Sequence, residues 1–62
     1  MDLPRLRALI VDDHERYREQ IARLARNAGF SVTACADGAE ALATLAENAD
    51  YQLLIIDREM PA

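Results

Sequence analysis

Asp12, Asp13 and Asp57 are the residues of this chain whose types and spacing could do chemistry together. Each site follows an apolar run: Ala8-Leu9-Ile10-Val11 leads into Asp12-Asp13, and Leu53-Leu54-Ile55-Ile56 leads into Asp57. Short apolar runs with β-branched residues read as buried strands. If the two strands are parallel neighbours, about 4.8 Å apart, they release three carboxylates at one edge of a sheet. Carboxylates held that close repel one another, so gathering them calls for a cation or a reaction. A carboxylate can act as the nucleophile in phosphoryl transfer and become an aspartyl-phosphate. Mg2+ takes one or two carboxylates, a phosphate oxygen and several waters, so three aspartates supply both nucleophile and cation site. Taken singly, the same residues have plainer readings. An aspartate after an apolar run is usually a solvated acid, and Asp12 or Asp13 could serve only as a helix cap.

The elements that must position these residues follow from the pattern. Met1 to Leu6 is a lead-in, since Pro4 argues against a central strand there. The first strand is Arg7 to Val11. The first helix runs from about Glu15 to Ala28, with Tyr17, Ile21, Leu24 and Ala28 spaced as a helical apolar stripe. Glu15 and Glu19 near its start and Arg23 and Arg26 near its end suit the helix dipole, and Glu19–Arg23 is an i,i+4 pair. Gly29 marks the helix terminus. Phe30 to Ala36 is the second strand, less apolar than the others and suited to a sheet edge. Asp37-Gly38-Ala39-Glu40 has the form of a capping box opening a second helix, which reaches about Asn48. Ala39, Leu42, Leu45 and Ala49 form its expected apolar face, with Ala46 beside them. Tyr51 or Gln52 opens the third strand, which finishes at Ile56. Strands alternating with helices in β-α-β-α-β order predict a parallel sheet with right-handed crossovers.

The chain has 62 residues, room for one small domain. Cys35 is the single cysteine, which excludes an internal disulfide and a thiolate metal site and points to a reducing, cytoplasmic setting. The net charge is −4 and lysine is absent; six of the seven arginines precede residue 27. An acidic chain with no basic stripe gives no reason to expect nucleic acid as a partner, and no run approaches the roughly 20 apolar residues that span a bilayer. Gly38 lacks the Gly-x-Gly setting of a nucleotide loop. His14 is expected to be exposed, neither ligand nor phosphodonor. Cys35 is expected to be a small, largely buried strand residue, and Tyr17 and Phe30 to be packing residues.

Taken together, the residues resemble the receiver domain of two-component response regulators. The matching pieces are Ile10-Val11-Asp12-Asp13, Gly29, Ala36-Asp37-Gly38-Ala39-Glu40-Ala41-Leu42, and Leu54-Ile55-Ile56-Asp57 with Met60-Pro61, in that order. The resemblance implies a flavodoxin-like α/β fold with strand order 2-1-3, and residues 1–62 as the N-terminal half of a receiver, truncated to three strands and two helices. It implies Asp57 as phosphoryl acceptor, and a Mg2+ site built from Asp13 directly, Asp12 through water, Asp57, and the backbone carbonyl of Glu59. A hydroxyl residue, a lysine and an aromatic switch residue are expected downstream. Arg58 departs from the family, where an apolar residue is usual.

The functional expectation is a phosphoacceptor module that takes a phosphoryl group from a histidine kinase or phosphotransfer protein, with Mg2+, in the cytoplasm. The chain is read as no enzyme in its own right, and as weak or inactive at this length. A non-catalytic half-domain that pairs with another copy or a complementary half is the alternative, and a small metal-dependent hydrolase ranks below both.

Overall fold

A computed structural model describes residues 6–57. Its elements are β1 (Leu6–Val11), α1 (Glu15–Asn27), β2 (Phe30–Cys35), α2 (Gly38–Glu47) and β3 (Leu53–Ile56). The three strands form one parallel sheet in the order β2-β1-β3. This is the β-α-β-α-β arrangement of a flavodoxin-like receiver fold. β1, the most apolar strand, takes the centre: Ala8, Leu9, Ile10 and Val11 are buried. β2, with Ser31 and Thr33, lies at one edge as its composition predicts.

Successive residues of a strand face opposite sides of the sheet. Ala8 and Ile10 pack with Ala22 and Ala25 of α1, with Ile21, Phe30, Val32, Leu53 and Ile55 around them. Leu9 and Val11 pack with Cys35 and Ala41 of α2, with Leu45 and Tyr51 around them. One helix therefore covers each face. Both helices lie over β1 and β2, and neither backbone comes as close to β3 among the described residues. Leu54 and Ile56 are left exposed on the α2 side.

The helix faces depart from the sequence expectation. α1 does not set Tyr17, Leu24 and Ala28 against the sheet; Tyr17 and Leu24 are exposed, and Ala22 and Ala25 are buried instead. α2 buries Ala41, with Thr44 and Leu45 half-buried, and exposes Ala39, Leu42, Ala46 and Ala49. A helix lying on a sheet comes closest where its residues are smallest, and alanine sites permit that approach. The larger side chains are displaced to the flanks, where three strands are too few to reach them. Glu19 and Arg23 form no ion pair among the described residues, as befits an exposed pair worth only a few tenths of a kcal/mol.

The helix ends follow local chemistry. Asp37 caps α2: its Oδ1 accepts the Glu40 backbone N–H at 2.8 Å, and Glu40 Oε2 reaches back to accept the Ala36 N–H at 2.7 Å. That second bond draws Ala36 out of the strand, so β2 stops at Cys35. α1 ends through Gly29, whose φ of +102° is reached without penalty by glycine alone. At the start of β3, Gln52 pairs with Arg7 in two ways: its backbone N–H donates to the Arg7 carbonyl, and its side-chain Oε1 accepts the Arg7 N–H. A side chain thus stands in for ladder backbone, and the strand proper opens at Leu53.

Two substitutions separate these effects in urea or thermal unfolding. Asp37→Ala removes the cap and is expected to cost about 1 kcal/mol, lowering the midpoint by about 4–8 °C. Gly29→Ala meets no atom within 4 Å, so its expected cost of about 1–2 kcal/mol comes from the backbone angle alone.

Candidate functional site

The site forms where β1 and β3 leave the sheet. The parallel register pairs Val11 with Ile56. The next residue on each strand is an aspartate, and the Asp57 N–H donates to the Val11 carbonyl at 2.9 Å. On the other side, the Asp12 N–H donates to the Cys35 carbonyl at 3.1 Å. Asp12 and Asp57 are therefore fixed as one-residue extensions of the two ladders that share β1.

The turn into α1 adds the remaining members. Asp12 Oδ1 accepts the His14 backbone N–H at 2.8 Å, a local aspartate turn. The Arg18 guanidinium reaches back from the first turn of α1 and donates to the Asp12 carbonyl at 2.9 Å. His14, in extended conformation, occupies the N-cap position without a capping side-chain bond. Neither Asp12 nor Asp13 is the cap of this helix, which removes the plainest alternative role for the pair.

Asp12, Asp13, His14 and Asp57 each offer one ligand atom, and these atoms all lie within 4.8 Å of one another. His14 Nδ1 is 2.9 Å from Asp13 Oδ1, 3.4 Å from Asp12 Oδ1 and 3.8 Å from Asp57 Oδ2. The side chains grade from buried to open: Asp12 is 10% exposed, Asp57 23%, Asp13 39% and His14 63%. An open cleft of about 430 Å³ runs beneath them, lined by Ile10, Val11, Ile21, Ile55 and Ile56 besides Asp12 and Asp57. Asp12 and Asp57 thus border a cleft whose other lining is aliphatic. Like charges gathered this closely repel one another. Three hard oxygen donors at this spacing fit a small divalent cation.

The sequence singled out Asp12, Asp13 and Asp57, and the fold brings these three together. Glu59, the fourth expected ligand, lies outside the described residues, as do Arg58, Met60 and Pro61. His14 was missed. It is exposed as expected, yet its ring turns into the cluster, with the Tyr17 ring edge-on at 5.7 Å. The available signal was its position directly after the acid pair, in the turn whose backbone Asp12 ties down. Tyr17 is a neighbour of the site and not a core residue. Phe30 and Cys35 do pack in the two cores.

Comparison with known proteins agrees with this geometry. Residues 8–62 match the response regulator receiver domain, and the chain belongs to that family. It is 39% identical over 56 residues to the sensory/regulatory protein RpfC of two strains of Xanthomonas campestris pv. campestris, covering 90% of this chain and 8% of that protein. It is 34% identical over 61 residues to the transcriptional activator protein PfeR of Pseudomonas aeruginosa, covering 98% of this chain and 20% of that protein. The chain therefore spans a small part of the length of these relatives. No solved structure matches at a significant level.

One expectation is corrected here. The chain was read as no enzyme, accepting a phosphoryl group from a partner kinase, with self-transfer and self-dephosphorylation left undecided. The assembled acid and imidazole cluster instead matches a receiver's catalytic site, which typically carries intrinsic phosphotransferase and phosphatase activity. No helix among the described residues is long and apolar enough to cross a membrane.

The roles of the two adjacent aspartates separate in urea melts at neutral pH without divalent cations. Asp12→Ala strands the His14 N–H and is expected to destabilise by about 1–2 kcal/mol. Asp13→Asn keeps an acceptor for His14 and removes one like charge, so stability is expected to stay level or rise by up to about 1 kcal/mol.

Proposed function

We propose that this chain is a phosphoacceptor module of a two-component relay, in which Asp57 takes a phosphoryl group from a phosphohistidine on a histidine kinase or phosphotransfer protein. The observation that carries the reading is the join of Asp57 to Asp12 and Asp13 across the β1–β3 ladder. Asp57 is the member best suited to attack. Asp12 is the most buried and has Oδ1 committed to the His14 backbone, and Asp13 is the more open of the other two. Asp57 is partly accessible and borders the aliphatic cleft, where charge interactions are screened less than in water.

The step is a displacement at phosphorus. An Asp57 carboxylate oxygen forms the P–O bond, the P–N bond of the donor breaks, and the leaving imidazole keeps the electron pair and takes a proton. Asp12, Asp13 and Asp57, with the Glu59 backbone carbonyl, are the proposed Mg2+ ligands. Bound Mg2+ would neutralise charge on the phosphoryl oxygens. The chain's own part is to hold its carboxylates in reach before the donor arrives, so that little reorganisation remains at the moment of transfer. The product gains about 1.5–2 negative charges at the sheet edge, enough to bias a neighbouring two-state element.

We assign residues 1–62 to the N-terminal half of a receiver, acting in the cytoplasm. Similarity to a sensory/regulatory protein supports a kinase as the partner class. A second reading, a half-domain that pairs with another copy or a complementary half, draws on Leu54 and Ile56, exposed on the α2 side of β3.

An amide NMR titration with Mg2+, followed by incubation with phosphoramidate and mass measurement, tests the proposal. Shifts centred on Asp12, Asp13 and Asp57 are expected, with addition of one phosphoryl mass. Asp13→Asn is expected to weaken Mg2+ binding about tenfold or more, and Asp57→Asn to abolish labelling. Labelling that survives Asp57→Asn would refute the assignment of the acceptor.

A further inference from the structure

We infer that a cleft between α1 and the edge strand β2 binds a small anion carrying two phosphoryl groups, held by Arg18, Arg23 and Arg26. The cleft shares no lining residue with the aspartate cluster, and its function does not depend on the phosphoacceptor reading.

The cleft has a volume of about 320 Å³ and is lined by Arg18, Glu19, Ala22, Arg23, Arg26 and Ala34. Its place follows from the register of the sheet. Ala34 pairs with Ile10, so it faces the side on which Ile10 packs against α1. Ala22 and Ala34 are too short to fill the gap between helix and strand, so space stays open among the longer side chains. Arg18, Ala22 and Arg26 recur every four residues, and Arg23 precedes Arg26 by three, so all four are neighbours along one side of the helix.

Charge in the cleft is not balanced from within. Three guanidinium groups meet one carboxylate, that of Glu19, which leaves two positive charges unmatched. No arginine pairs with an acid among the described residues. Arg18 spends one nitrogen on the Asp12 carbonyl and keeps its other donors. Arg23 and Arg26 make no side-chain hydrogen bond among the described residues. The helix dipole accounts for arginines near the C-terminal end of α1, but it disfavours Arg18 in the first turn and selects no side of the helix.

Donor chemistry then names the ligand. A guanidinium is a planar fork whose N–H groups meet phosphate oxygens two at a time. Three such forks with two unmatched charges suit an anion of at least two charges, which a single carboxylate does not supply. Small-molecule pockets span roughly 300–1,000 Å³, and this cleft lies at the compact end. A protein partner would call for about 800 Å² of surface on each side. Pyrophosphate, or the diphosphate portion of a larger molecule, matches both the size and the charge.

The test titrates the full chain with sodium pyrophosphate, at fixed ionic strength and without divalent cations, and follows backbone amide and arginine Nε–H signals by NMR. Saturable shifts are expected at the Ala22 and Ala34 amides and at Nε of Arg18, Arg23 and Arg26. Arg23→Gln and Arg26→Gln each keep a good helix former and break no bond of the fold, so the dispersion of the spectrum is expected to persist. Each is expected to lower pyrophosphate affinity about fivefold or more. Arg16→Gln removes the same charge from α1 outside the cleft and is expected to change affinity less than about twofold. Shifts that never saturate, or an equal loss in Arg16→Gln, would mean diffuse attraction to a basic helix and overturn the site. Tighter binding of a hexaglutamate peptide than of pyrophosphate would assign the cleft to an acidic chain segment and overturn the ligand class.

Discussion

The bond from the Asp57 N–H to the Val11 carbonyl is where sheet and site become one object. It exists because β3 lies parallel to β1 and in a register that ends both apolar runs at the same height. A shift of β3 by one residue would turn Leu53 and Ile55 to the opposite face and draw Asp57 out of line with Asp12. The alternation of half-buried Leu53 and Ile55 with exposed Leu54 and Ile56 opposes that slip. Hydrophobic pairing in the core therefore sets where Asp12 and Asp57 stand at the edge, and the turn into α1 adds Asp13 and His14.

The helices serve that same edge in different ways. α1 is drawn onto the sheet through Ala22 and Ala25, and its first turn is tied to the end of β1 by Arg18. The tie goes to the Asp12 carbonyl, leaving the carboxylate free of the guanidinium. The guanidinium is thus held near the site through a backbone carbonyl and not through the Asp12 side chain. α2 acts at one remove. Its capping box takes the Ala36 N–H, ends β2 at Cys35, and leaves the Cys35 carbonyl to accept from Asp12.

The element order and the three aspartates were legible in the sequence because each rests on a short-range signal, whereas the strand order came only with the family resemblance. Apolar runs that end in acids, the Asp37–Glu40 box and Gly29 each declare their role within a few residues. The helix faces were legible only in part, through Ile21 and Leu45, which do pack against the two cores. A stripe of large apolar residues marks where a helix could bury surface, but Ala22, Ala25 and Ala41 show that close approach to this narrow sheet selects small residues instead. Only the geometry of the sheet carries that information. His14 was hidden for a related reason. Its type suggested an exposed histidine, and exposure is what it has; its inward turn depends on the extended N-cap backbone, which no residue pattern announces.

The graded exposure of the cluster links this backbone detail to chemistry. A nucleophile must be reachable, a cation ligand must be held, and one residue cannot do both equally well. Asp12 is held, by its ladder bond and by the turn it closes. Asp13 and His14 are the most open members of the cluster. Asp57 lies between these extremes, anchored through its backbone and bordering the cleft that Ile10, Ile21 and Ile55 line. Because two strands and one turn each contribute a different degree of access, three chemically identical carboxylates become three different groups. That difference in access is a consequence of where the parallel strands stop.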